Sequence, residues 1–461
     1  MDTATIAAIA TPPGEGGIGV VRISGPDAAG IAGRIFRRAG RKRPLDLRST
    51  ESHRLLFGTV VDPATQAPVD EVLLAWMAGP HTYTREDTVE LSCHGGPVPL
   101  QETLRLALAA GARHAEPGEF TLRAFLNGRL DLTQAEAVLN VIGARTAESL
   151  RLAVSDLAGD LTRRLEPANA ALISLLAYLD ASADFPDDEI DTADIATGLH
   201  AAREALEGVV AGSKAGMLYR DGARIALVGR PNVGKSSLLN ALLRTERAIV
   251  TPIAGTTRDV IMETINLRGI PATLLDTAGI VETEDVVERI GVERSRSALK
   301  TAAAVVLVLD GSTAPQPGDL DIARALAERP ADERTPVVIA INKADLPQVG
   351  QGRATALLPG DATVHLSATT GEGLGALEDA LVGALGGATA QPALITARQR
   401  AAVDRALANI EDAETAHAAG VPQDLLATSV RAALHAVGEV TGEHVDQAVL
   451  NEIFSRFCIG K

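Results

Sequence analysis

Three patterns of apolar and polar positions succeed one another along the chain. Up to about residue 118, short β-branched runs (20–23, 72–76 and 88–93) alternate with glycine-rich turns, which predicts a small α+β domain. From Thr121 to about Gly216 the apolar positions recur at helical spacing. Leu172, Leu175, Leu176 and Leu179 fall on one helix face, and Pro167 suits a helix start. The acidic run at 184–189 interrupts this pattern and predicts an exposed loop.

Near Gly222 the period changes. Short apolar strands at 225–228, 273–275, 305–309, 337–341 and 364–366 alternate with helix-length segments as far as Gly386, the pattern of a doubly wound parallel sheet. After Thr396 helical spacing returns, at Val403, Leu407 and Ile410, then at Val445, Val449, Ile453 and Phe457. The economical organisation is an α/β module at 222–386 inserted into one all-α domain made of 119–221 and 387–461, with the α+β domain at 1–118 in front. Residues beyond Phe457 read as a chain end outside the helical core.

The α/β module carries a nucleotide signature. Gly229-Arg230-Pro231-Asn232-Val233-Gly234-Lys235-Ser236, followed by Ser237, fits G-x-x-x-x-G-K-[ST] directly after the strand at 225–228. Its glycines let backbone N–H groups turn toward phosphates, and the following helix points its positive end at them. Lys235 is placed to reach the β- and γ-phosphates, and Ser236 to hold Mg²⁺. Asp276-Thr277-Ala278-Gly279 closes the strand at 273–275, where an aspartate reaches Mg²⁺ through water and a glycine N–H senses the γ-phosphate. Between them, Gly255-Thr256-Thr257-Arg258-Asp259 occupies the position of switch I, with Thr257 as the second Mg²⁺ ligand. Asn342-Lys343-Ala344-Asp345 follows the strand at 337–341, and Asp345 can accept two hydrogen bonds from guanine that adenine cannot supply. Ser367-Ala368-Thr369 then offers backbone groups to the guanine carbonyl. Five elements in order predict a Ras-like P-loop GTPase. The residue after Gly279 is Ile280, where Ras-like enzymes carry a water-orienting glutamine, so hydrolysis needs other groups.

Charge changes the picture in one respect. The chain of 461 residues has net charge −16, so an RNA substrate would need locally concentrated cations or a basic partner. Arg34, Arg37, Arg38, Arg41, Lys42, Arg43, Arg48 and Arg54 form one such run, which reads equally as a solvated loop or edge. No uninterrupted apolar stretch is long enough to span a membrane, the N-terminus has no basic-then-apolar export signal, and two cysteines cannot build a disulfide framework. These readings point to the cytoplasm.

Long strings outside the GTPase module resemble one family, the tRNA modification GTPases of the MnmE (TrmE) type. They are Ala10-Thr11-Pro12-Pro13-Gly14 through Arg22-Ile23-Ser24-Gly25-Pro26, and Pro117-Gly118-Glu119-Phe120-Thr121 into Arg123-Ala124-Phe125-Leu126-Asn127-Gly128. Leu130-Asp131-Leu132 with Gln134-Ala135-Glu136-Ala137 continues the second, and the terminus Phe457-Cys458-Ile459-Gly460-Lys461 is the most specific. The resemblance implies K⁺ in place of an arginine finger, held by Asn232 and by the segment Thr251-Pro252-Ile253-Ala254-Gly255-Thr256 through Thr251, Ile253 and Thr256. It implies Glu288 as the water-orienting group, although by itself Glu288 reads as a helix-surface carboxylate. It also implies a one-carbon tetrahydrofolate site at Arg22, Glu90, Arg129 and Lys461, where a pterin edge suits Glu90 and a glutamate tail suits cations. Cys458 reads as a small hydrophobe, formally as a C-a-a-X cysteine disfavoured by the terminal Lys461, or, by the resemblance, as a functional thiol. At Val281 the chain departs from relatives that often carry arginine.

The implied function is GTP hydrolysis coupled to adding a carboxymethylaminomethyl or aminomethyl group to the wobble uridine of certain tRNAs. The implied partners are a second copy of the chain and the flavoprotein MnmG (GidA), which brings FAD and NADH. Two other classes compete. A ribosome-assembly GTPase of the Era or Der type would append a basic KH module, whereas helices without basic character follow here. A binding switch without chemistry of its own would leave hydrolysis dispensable.

Overall fold

The computed structural model of the chain describes residues 4–41, 43–184, 194–245, 263–276, 301–329, 335–350, 352–356, 358, 362–386 and 392–461. The chain divides into two compact units, Met1–Leu139 with Gly438–Lys461, and Asn140–Val437.

The first unit is built on a seven-stranded sheet of β1 (Ile6–Ile9), β2 (Gly16–Ser24), β3 (Phe36–Arg38), β4 (Arg54–Val61), β5 (Pro68–Met77), β6 (Thr88–Gly95) and β7 (Arg113–His114). Their spatial order is β3-β4-β5-β6-β2-β1-β7, so β3 and β7 are edges. Period-two alternation decides what each face carries. Val21, Ile23, Leu56, Leu74, Val89 and Leu91 are buried in one core with the helices Ala28–Ile35 and Pro97–Ala109. On the opposite face, Ile6 and Ala8 of β1 pack with Ala115 and Phe120. The β4–β5 end of that face leaves Leu55, Phe57 and Leu73 exposed, at 66%, 54% and 42%. This unit continues past the expected boundary at 118 because the helix Glu119–Leu126 supplies Phe120, and it takes back the end of the chain.

The second unit holds a six-stranded sheet of β8 (Ala223–Val228), β9 (Glu263–Leu267), β10 (Ile270–Asp276), β11 (Ala304–Asp310), β12 (Val337–Asn342) and β13 (Ala362–His365), in the order β13-β12-β11-β8-β10-β9. Every residue of β11 and β12 is buried, as a sheet covered on both faces requires. Ile225, Leu227, Val306 and Val338 enter one core, and Ala226, Val305, Leu307 and Ile339 the other. Strand β9, antiparallel to β10, was not expected from the apolar runs. Its sequence signal is the turn Arg268-Gly269, with φ of 49° and 97°, between two alternating segments.

Three long helices, Asp160–Asp184, Ile195–Asp221 and Ala397–Ala418, flank the sheet's segment on both sides in sequence. Leu172, Leu175 and Leu179 are buried as their spacing predicted, and Leu176 is half-buried at the edge of that face. Arg203 of the second helix pairs with Glu414 of the third, which ties segments on either side of the α/β module together. Pro167 does not start a helix. The helix begins at Asp160, after Gly159 (φ 86°), and Pro167 lies inside it, where it has no N–H for the carbonyl one turn back. Of the acidic run, residues 185–189 lie outside the described residues.

Candidate functional site

The phosphate-binding loop joins β8 to the helix Lys235–Thr245. Its two framing glycines answer to contacts that forbid a side chain. Gly229 sits at φ 152° with its missing Cβ directed at the Val308 carbonyl, and Gly234 at φ 99° with its missing Cβ directed at the Asn342 side chain. Between them Asn232 holds the left-handed conformation, φ 64°, which asparagine tolerates better than most residues. Lys235 is buried, and its ammonium donates to the carbonyls of Gly229 and Arg230 at 2.7 Å each. These bonds curl the loop around the ammonium and hold it at the centre of the turn. Ser236 and Ser237 are exposed at the start of the helix, where N–H groups lack intrahelical acceptors.

Asn342 ties the loop to the base-binding segments. It is 2% exposed, donates from Nδ2 to the Val233 carbonyl at 2.9 Å, and accepts the Ala368 N–H on Oδ1 at 3.0 Å. One amide thereby fixes the P-loop against the turn Ser367-Ala368-Thr369. Ser367 donates to Asp345 Oδ1 at 2.6 Å, which orients the carboxylate expected to read guanine. Lys343, at φ 65°, extends its ammonium to Asp310 Oδ2 at 2.6 Å. Burial opposes ionisation of Asp310, but hydrogen bonds from Lys343 and Ser312 outweigh it and hold its carboxyl below the usual range. Asp310 and the buried Asp319, which takes Arg230 at 2.8 Å, were not anticipated. Their only sequence signal is an acidic residue at the C-terminal end of a fully apolar strand and one in the next helix's first turn. A cavity of about 260 Å³ opens here, lined by Asn232, Val233, Asp310, Lys343 and their neighbours.

Strand β10 runs parallel to β8, with Asp276 beside Leu227, so the backbone carries Asp276 toward the same end of the sheet as Gly229. Thr251, Pro252, Ile253, Ala254, Gly255, Thr256, Thr257, Thr277, Ala278, Gly279 and Glu288 lie outside the described residues. The expectations for them, and for Ile280 and Val281, are neither met nor contradicted. The arrangement that is described can cradle phosphates on backbone N–H groups beside a buried ammonium, and can present a carboxylate to a purine edge.

A second constellation lies in the first unit. Arg22 on β2 and Glu90 on β6 are register partners, and Arg22 Nε donates to Glu90 Oε1 at 2.7 Å. The same guanidinium donates to the Gly460 carbonyl at 3.0 Å and lies 5.5 Å from the Phe120 ring centre. Phe120 in turn donates its N–H to the Lys461 carbonyl at 3.2 Å. Arg129 stands 4.9 Å over the Tyr83 ring, whose hydroxyl bonds Thr121 at 3.0 Å. Arg22, Glu90 and the Gly460 carbonyl thus meet directly, the Lys461 backbone is held beside them on the Phe120 N–H, and Arg129 lies on the neighbouring Tyr83 ring, whose hydroxyl bonds Thr121. Tyr83, Phe120 and Gly460 were missed as members of this cluster. Phe120 and Gly460 stood inside the quoted strings, but nothing local says that they meet.

The chain end is not free. Gly118 N–H reaches the Cys458 carbonyl at 3.5 Å, and Gly460 is buried at φ 94°, with its missing Cβ 2.5 Å from the Ile9 carbonyl. The Cys458 thiol is exposed. Beneath the cluster, Glu119 takes Arg113 at 2.5 Å and Arg123 at 2.9 Å. Burial works against its ionisation, but those arginines and the Glu116 N–H keep its carboxyl below the usual range. Much of the string around Glu119 is therefore scaffolding.

A family model described as the MnmE helical domain matches residues 132–458, and one described as the GTP-binding protein TrmE N-terminus matches residues 5–129. A tRNA modification GTPase MnmE of Roseiflexus castenholzii is 51% identical over 474 residues, covering 99% of each chain. One of Chloroflexus aurantiacus is 50% identical over 464 residues, again covering 99% of each. Among solved structures, Aquifex aeolicus Era bound to GDP.AlF4- is 28% identical over 41% of this chain and 66% of its own, with a TM-score of 0.28.

Proposed function

The chain belongs to the tRNA modification GTPase MnmE family, and from that premise we propose how its two sites divide the work. The protein is a GTPase of tRNA modification. The observation that carries the reading is full-length relatedness joined to a P-loop that Asn342 bonds to the Ser367 turn, whose serine in turn holds the Asp345 carboxylate.

In the proposed mechanism, the P-loop backbone and Lys235 bind the β- and γ-phosphates, and Asp345 with the Ser367 turn selects guanine. Ser236 and Thr257 would hold Mg²⁺, and Asn232, Thr251, Ile253 and Thr256 would hold K⁺, which supplies positive charge where an arginine finger would otherwise sit. Asn232 fits that role as an exposed carbonyl-bearing side chain at the head of the loop. Glu288 orients the attacking water. On the first unit's sheet, Arg22, Glu90, Arg129 and Lys461 would hold a one-carbon tetrahydrofolate, the source of the transferred carbon. Glu90 suits it because Arg22 engages only Oε1, and among the described residues Oε2 has no partner. Half-buried Tyr83 adds apolar surface, and the fully buried Phe120 backs the Arg22 guanidinium. Cys458 acts at the modification step.

The product is a carboxymethylaminomethyl or aminomethyl group on C5 of the wobble uridine, made with the flavoprotein MnmG, which brings FAD and NADH. Two copies of the chain join through the first unit. The rows Arg22–Glu90–Ala75–Leu55 and Val20–Ser92–Leu73–Phe57 put the exposed apolar patch on the same sheet face as the Arg22–Glu90 pair, which supports this contact. The proposed domain arrangement keeps the GTPase module, 222–386, as an insertion, in agreement with a helical-domain match that runs from 132 to 458. Among the described residues no helix is long and apolar enough to cross a membrane. Nucleoside mass spectrometry of tRNA from cells lacking the chain tests the function: the wobble modification should vanish, and unchanged wobble uridines would refute it.

A further inference from the structure

The basic run between Arg34 and Arg54 separates into two classes once its partners are known. Arg34 pairs with Asp27 at 2.8 Å, and Arg54 with Glu51 at 2.8 Å. Arg37 is buried and donates to the carbonyls of Arg34 and Phe36. Arg48 donates to the Pro26 carbonyl at 2.6 Å. These four charges are consumed by the fold. Arg38, Arg41 and Arg43 are different. All three are exposed, and among the described residues their guanidinium groups have no carboxylate or carbonyl partner. All three line a single concavity of about 390 Å³, together with Pro44 and Leu45.

The local fold explains how they converge. Arg38 ends β3, an edge strand paired only with β4. Gly40, at φ 76°, turns the chain, and the Arg41 N–H closes that turn on the Arg38 carbonyl at 2.9 Å. Cations on an edge strand can simply discourage pairing with another chain. Arg41 and Arg43 lie beyond the strand, however, and that role needs no cavity. Three guanidinium groups around one hollow, without a carboxylate or carbonyl partner among the described residues, are unusual in a chain with 59 acidic and 43 basic residues, where carboxylates to neutralise them are abundant. Guanidinium groups pair bidentately with phosphate oxygens, and a flanking proline and leucine offer apolar surface to a ribose.

We propose that Arg38, Arg41 and Arg43 form a docking surface for the phosphodiester backbone of the tRNA substrate. It gives an acidic protein the local cations that RNA binding needs. The inference rests on the functional reading above and adds to it where the tRNA is held.

The test uses the full chain and a triple variant, Arg38→Gln, Arg41→Gln and Arg43→Gln, with the triple arginine-to-lysine variant as a charge-preserving control. Binding of tRNA is titrated across salt concentrations, and wobble nucleosides are measured in a strain lacking the native chain and carrying each version. The glutamine variant should bind tRNA roughly tenfold or more weakly near 0.1 M salt, with a salt slope shallower by about 2, as expected for some three phosphate contacts. The lysine variant should keep most of the slope, and GTP turnover should be unchanged in both. Wobble modification should fall in the glutamine strain. Equal affinity and slope for wild type and glutamine variant would overturn the docking surface, while restoration of modification by wild type would show the functional reading intact. Loss of binding to anionic lipid vesicles without loss of tRNA binding would also overturn it. Failure of the wild-type chain to restore modification would refute the functional reading itself, and this inference with it.

Discussion

The nucleotide cradle and the cluster around Arg22 hold their chemistry in opposite ways. In the cradle, the residues proposed to position phosphate and base are buried and bonded to backbone: Lys235 to two carbonyls, Asn342 to a carbonyl and an N–H. Low-dielectric surroundings strengthen these bonds and make losing one costly. Around Arg22, by contrast, two partly buried charges face each other on the sheet, and the third member is the end of the chain laid across them. That site is finished by docking of a tail. A cradle carried by contiguous loops tolerates change elsewhere, whereas a site closed by a chain end couples the chemistry of residue 22 to the integrity of residue 460.

The sharpest way to break the cradle is Lys235→Ala. It removes the buried cation and leaves two loop carbonyls without their donor, so GTP turnover should fall on the order of 10²–10³-fold. Steady-state hydrolysis measures this, and a loss under tenfold would mean that the ammonium does not face the phosphates. Asp345→Asn should act on selection rather than turnover, weakening GTP by roughly tenfold and favouring xanthosine triphosphate, because one acceptor becomes a donor. Competition titrations showing unchanged preference would remove Asp345 from the base site.

On the other side of the comparison, Gly460→Val should loosen the tail. A valine there carries both the strain of positive φ and a clash with the Ile9 carbonyl, together about 1–3 kcal/mol. Thermal unfolding should show the loss and folate binding should weaken, while GTP affinity stays at the wild-type value; a matched fall in both affinities would mean that the two sites do not separate. The smallest effect concerns Asp156, in the unit that holds the cradle. Burial, then the nearby Asp160, pushes its carboxyl up to about 7, and its Oδ2 has no hydrogen-bond partner. The folded chain therefore holds a proton that the unfolded chain releases near pH 4. The stability contribution falls as pH rises through about 7, by about 1 kcal/mol between pH 6 and 8. Asp156→Asn should flatten that part of the stability profile, as denaturant titrations at the two pH values would show; an unchanged slope would place the titration elsewhere.

The same contrast explains what could be read from the sequence. The P-loop, Asn342-Lys343-Ala344-Asp345 and Ser367-Ala368-Thr369 are contiguous strings, each at the C-terminal end of an apolar strand, so spacing alone orders them. The parallel sheet was legible because its central strands are apolar throughout. Pro167 misled because proline marks helix starts more often than interiors, while Gly159 and Asp160 carried the weaker signal of the true start. The Arg22–Gly460 bond spans 438 residues and no local pattern reports it. For the same reason Phe120 and Tyr83 were invisible as partners of Arg22 and Arg129. The basic run shows the limit most plainly: its composition was evident, but only the fold divides Arg34, Arg37, Arg48 and Arg54 from Arg38, Arg41 and Arg43.

Nucleotide hydrolysis and the tail-closed cluster are proposed to be distinct machines that tRNA modification needs together. The decisive experiment deletes Cys458 to Lys461 and measures, for the same variant, GTP turnover in vitro and wobble nucleosides in a strain with no other copy. Loss of the tail removes the Gly460 carbonyl from Arg22 and the Cys458 thiol, but nothing bonded to Lys235, Asn342 or Asp345. GTP turnover should stay within about twofold of wild type, an effect too small to report loss of a transition-state contact, while wobble modification is absent. Normal modification, or hydrolysis lost in step with it, would contradict this division.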